Sequence, residues 1–103
     1  MSKDLIPVKI VHDFAERVEP LEIDYMLTDS LAMMQYNVYR MTADIDIVIE
    51  LKREDTERII NAFEPDYYVP HGRVRDAVAR KFMFNVIHQE TAFKIDLVIK
   101  KKQ

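Results

Sequence analysis

The chain has no cysteine and one glycine among its 103 residues. Without cysteine there are no disulfides and no thiolate metal sites, and this fits a reducing, cytoplasmic setting. No apolar run approaches the roughly 20 residues of a membrane span, and Met1-Ser2-Lys3-Asp4 lacks a signal-peptide core, so a cytoplasmic protein with no membrane partner is expected. Neither charge sign dominates: 15 basic against 18 acidic side chains give a net charge of -3, which excludes a general attraction to nucleic acid or anionic membrane. The one basic cluster, Lys100-Lys101-Lys102, reads as a solvated tail. Repeats, low-complexity tracts and Gly/Ser linkers are also missing. What is present is 49% hydrophobic residues, enough for one modest core and for a single domain over residues 1–103, with no room for a separate substrate domain.

Apolar spacing predicts the elements. Ile6, Ile10, Phe14 and Val18 recur at helical spacing, with Val11 widening the stripe, so a helix is expected up to Pro20. Residues 23–27 read as a short strand. A helix over about 30–39 follows Thr28, Asp29 and Ser30, each a good N-cap. The clearest strand is 44–51, where Ile45, Ile47, Ile49 and Leu51 alternate with other residues. Residues 53–63 read as a helix stopped by Pro65, 67–69 as a short strand, and Pro70-His71-Gly72 as a turn before a helix over 74–80. Strands over 82–88 and 92–99, joined by Gln89-Glu90-Thr91, predict an antiparallel hairpin. The order α-β-α-β-α-β-α-β-β points to an α+β fold with a mixed sheet packed by helices.

Three acidic segments carry a chemical signal: Thr28-Asp29-Ser30, Thr42-Ala43-Asp44-Ile45-Asp46-Ile47 and Lys94-Ile95-Asp96-Leu97. On a strand, Asp44 and Asp46 face the same side about 6.6 to 6.8 Å apart, a spacing at which two carboxylates can share one magnesium ion or bracket two. Asp96 on another strand would complete a site where metals hold a triphosphate and lower the pKa of an attacking hydroxyl. The bland alternative is that these aspartates mark the solvent face of half-buried strands. A strand running into a turn and a helix start at Ser30 adds free backbone N–H groups and a dipole end suited to phosphate.

With these motifs the chain resembles the nucleotidyltransferase superfamily of the DNA polymerase β type. That family has a hydrophobic residue, Gly, then Gly or Ser, a spacer, and Asp-hydrophobic-Asp or Glu-hydrophobic. Leu27-Thr28-Asp29-Ser30, a thirteen-residue spacer and Asp44-Ile45-Asp46-Ile47 follow the pattern except at one position, and Ile95-Asp96-Leu97 is similar to the third acidic element. Ser30-Leu31-Ala32 and Arg40-Met41-Thr42-Ala43-Asp44 look most like small prokaryotic members, including relatives of AbiEii-type toxins. The resemblance, running from about 23 to 99, implies a minimal nucleotidyltransferase fold. It also implies that Ser30 contacts a phosphate, that Asp44 and Asp46 bind Mg2+, and that Asp96 binds metal or activates the acceptor hydroxyl. Arg40 and Thr42 are placed by it in nucleotide binding, although Arg40 also reads as a partner for a carboxylate.

Asp29 departs from the pattern, standing where the family has glycine. A side chain there adds bulk and negative charge where a triphosphate would approach the backbone; as a helix cap, Asp29 would contribute roughly 0.5 to 2 kcal/mol over Ala. Three functions follow. The first is transfer of a nucleoside monophosphate from a nucleoside triphosphate to a hydroxyl on protein, RNA or a small molecule. The second is a catalytically impaired nucleotide-binding or regulatory protein; the third is one component of a toxin–antitoxin-type pair. A homodimer or a partner protein would suit so small a chain. His12, His71 and His88 show no metal-ligand spacing, Met26, Met33, Met34 and Met41 read as core filler, and Tyr36, Tyr39, Tyr67 and Tyr68 read as core and rim packing before base stacking.

Overall fold

The computed structural model describes residues 6–27 and 44–101, with the side chain of Asp44 outside the description. Helix α1 (Ile6–Val18) buries the expected stripe of Ile10, Phe14 and Val18 and runs into a 3-10 turn at Glu19–Leu21, so the chain continues helically through Pro20 for one more turn. Strand β1 is shorter than expected, Tyr25–Leu27. Strand β2 (Asp44–Ile49) follows in the described chain. A 3-10 turn (Arg53–Asp55) then leads into helix α2 (Thr56–Phe63), and the two together span the helix read from sequence. The Asp55 carboxylate accepts a hydrogen bond from the Lys52 backbone N–H at 3.0 Å, and Arg58 Nη1 donates to its other oxygen at 2.9 Å. The element ends before a cis Glu64-Pro65 peptide bond.

Strand β3 is only Tyr67–Tyr68. Helix α3 spans His71–Arg80 and corrects the turn expected at Pro70-His71-Gly72. Pro70 occupies the N-cap with extended backbone, its carbonyl accepts from the Val74 N–H at 2.9 Å, and Gly72 lies inside the first helical turn with a negative φ. Proline suits a helix start because it has no N–H to satisfy. Strands β4 (Met83–His88) and β5 (Lys94–Ile99) form the expected antiparallel hairpin. Its loop closes with Ala92 in the left-handed region. The expected helix over about 30–39 lies outside the described residues, as do Thr28, Asp29, Ser30, Arg40 and Thr42.

The five strands form one mixed sheet in the order β1-β2-β5-β4-β3, confirming the α+β class. The central pair, β2 and β5, is parallel, and the other pairings are antiparallel. Alternation decides the faces. Ile45, Ile47 and Ile49 of β2, Ile95, Leu97 and Ile99 of β5, and Phe84 and Val86 of β4 join the buried residues of all three helices in one cluster. Among the described residues no helix covers the other face. None is long and apolar enough to cross a membrane.

A polar clamp ties α1 to the chain around β3. Arg17 donates to Asp13 at 2.8 Å, to the Ala62 carbonyl at 2.8 Å and to Asp66 at 2.7 Å, with its guanidinium 5.1 Å from the Tyr67 ring centre. The fully buried Tyr67 donates its hydroxyl to Asp13 at 2.7 Å. Burial first, then the hydrogen bond and charge of Asp13, push the Tyr67 pKa far above its ordinary value.

Two expected outcomes follow from these placements. A Cβ on Gly72 meets nothing within 4 Å, so Gly72→Ala should raise unfolding stability by about 0.5 to 1 kcal/mol in a urea titration. Tyr67→Phe should lower stability at pH 7 by about 1 to 2 kcal/mol. Because the folded chain keeps the Tyr67 proton to higher pH than the unfolded chain, its contribution is full below about pH 10 and falls as pH rises beyond it. Urea titrations above pH 10 should therefore show a fall in wild type that is shallower in Tyr67→Phe.

Candidate functional site

The face that no described helix covers is organised in rows set by strand register. Asp46 pairs laterally with Asp96, and Asp96 with Asn85, so β2, β5 and β4 contribute Asp, Asp and Asn side by side. Neighbouring strands lie about 4.7 to 4.9 Å apart. Toward the N-terminal end of β2 the next row reads Asp44, Lys94, Ile87 and Tyr68. Toward its C-terminal end comes an apolar row, Met26, Val48, Val98 and Met83. Alternation alone puts position 44 on the face of Asp46. Asp46 and Asp96 are half-buried, and one Asp96 carboxylate oxygen is fully buried.

The local sequence explains the arrangement. In β2 and β5 the isoleucines and Leu97 take the core side, so the interleaved aspartates have to take the other. A one-residue slip in either strand would put isoleucines in water and carboxylates in the core. The parallel pairing then turns two separate Asp-hydrophobic patterns into one acidic row. Strand β1 runs antiparallel to β2 and ends with Leu27 opposite Ile47, one position short of the Asp46 row.

Of the seven candidate residues read from the sequence, the structure brings Asp46 and Asp96 side by side and places Asp44 on the same strand as Asp46. Asp29, Ser30, Arg40 and Thr42 lie outside the described residues. Among the described residues no group of three or more His, Cys, Asp or Glu side chains has metal-binding geometry; the Asp44 side chain is not part of that description. Three neighbours were not singled out for this face: Asn85, which flanks Asp96, Lys94 in the Asp44 row, and Tyr68, exposed on the same face. The hairpin register held the signal for Asn85, since the turn at 89–93 fixes which β4 residue opposes Asp96. Met26 corrects its reading as core filler: it is 63% exposed on the apolar row. Tyr67 is core, as read, whereas Tyr68 is free of the core. His71 pairs with Glu64 and His88 with Thr91, in line with structural roles.

No family model matches the chain, and no solved structure matches it. It is similar to a trigger factor of Nocardioides sp. (strain ATCC BAA-499 / JS614), with 31% identity over 87 residues. That similarity covers 84% of this chain, which spans only 18% of the length of the curated relative.

Like charges placed opposite one another destabilise a sheet, and acidic sites generally cost folding stability. Asp96→Asn, which removes one charge of the Asp46–Asp96 row and keeps its shape, should raise unfolding stability without added metal by about 0.5 to 1 kcal/mol. Thermal melting in a chelating buffer checks this outcome.

Proposed function

We propose that this protein is a Mg2+-dependent nucleotidyltransferase, moving a nucleoside monophosphate from a nucleoside triphosphate to a hydroxyl acceptor. The observation that carries the reading is the lateral pairing of Asp46 with Asp96 on adjacent parallel strands, with Asp44 two residues before Asp46. It joins the two acidic elements of the family pattern, which are half the chain apart in sequence. A further support is the course of β1, which ends at Leu27 opposite Ile47, one position from the Asp46 row.

The donor set fits Mg2+, a hard cation that takes carboxylate oxygens and substrate phosphates. Asp44, Asp46 and Asp96 would hold it, and when bound it would neutralise phosphate charge and make an acceptor hydroxyl more acidic. The chain's own side chains have separate tasks. Asp96, central in the row, would bind the metal or activate the acceptor hydroxyl. Asn85 offers an amide donor beside it, and Lys94 brings a positive charge to the Asp44 row. Ser30, Arg40 and Thr42 would supply the phosphate contacts.

A second reading is favoured by one residue: Asp29 puts a carboxylate where the family pattern has glycine, which fits a nucleotide-binding or regulatory protein with impaired transfer. Incubation with each α-phosphate-labelled nucleoside triphosphate and Mg2+ separates the two, with the chain itself, RNA and a cell extract offered as acceptors. Transfer by wild type, reduced at least about a hundredfold in Asp46→Asn and in Asp96→Asn, is expected for the enzyme. Transfer only by Asp29→Gly would identify the impaired form. Absence of transfer from every variant, with no Mg2+-dependent nucleotide binding by calorimetry, would refute both.

A further inference from the structure

We draw no further inference here: the strongest candidate, the shallow apolar depression around Phe82 and Val98 at the C-terminal ends of β2 and β5, rimmed by Lys81, Lys100 and Lys101, carries nothing because strand register sets Glu50 beside Lys100 and nothing in the structure shows what covers it.

Discussion

The parallel pairing of β2 with β5 is the constraint on which the other contacts rest. It joins strands half the chain apart, so its loop-closure cost has to be met by what the pairing buries. Ile45, Ile47 and Ile49 lie in register with Ile95, Leu97 and Ile99, and all six are essentially inaccessible to water. With both strands central in the sheet, β1 and β4 have defined edges to join, and the helices have a continuous apolar floor. The same register brings Asp46 beside Asp96. Core packing and the acidic row are thus two faces of one alignment, and neither can shift without the other.

Against that floor, α1 is held by direction as well as by burial. Phe14 packs edge-on to Tyr25 and at a tilt to Phe63, and Phe63 packs edge-on to Tyr67, forming an aromatic chain from β1 across to β3. Arg17 closes that chain on the solvent side. Burial opposes its charge, but the hydrogen bonds and charges of Asp66 and Asp13 outweigh that cost and raise its pKa. Two short edge strands are in this way fixed by side chains from the helical layer, where their few backbone hydrogen bonds would hold them weakly.

Much of this was legible in the residues. The alternation of β2, the amphipathic stripe of α1 and the β4–β5 hairpin follow directly from apolar spacing, and with them the α+β class. The start of α3 was not, because Pro70-His71-Gly72 has the composition of a turn while the backbone uses proline as an N-cap. The position of Met26 was hidden for a related reason: its hydrophobicity implies burial only if the face it occupies is covered, and spacing within one strand does not say which face a helix will take. The acidic row was half legible. Asp44 and Asp46 share a face by alternation alone, but the lateral neighbour of Asp46 depends on strand order, which no local pattern encodes.

The aspartates that interrupt β2 and β5 also matter to the unfolded chain. Asp44–Ile49 and Lys94–Ile99 are six-residue segments rich in branched residues and free of proline and glycine, close to the composition that stacks into cross-β fibrils. In the fold they lie at the centre of the sheet, and the outermost strands, of three and two residues, offer little edge to an incoming chain. During synthesis or transient opening that shelter is lost. The carboxylates then act as gatekeepers, since stacking such segments in register would align like charges every 4.7 to 4.8 Å along a fibril. The same aspartates thereby help to keep the chain out of aggregates before the sheet exists.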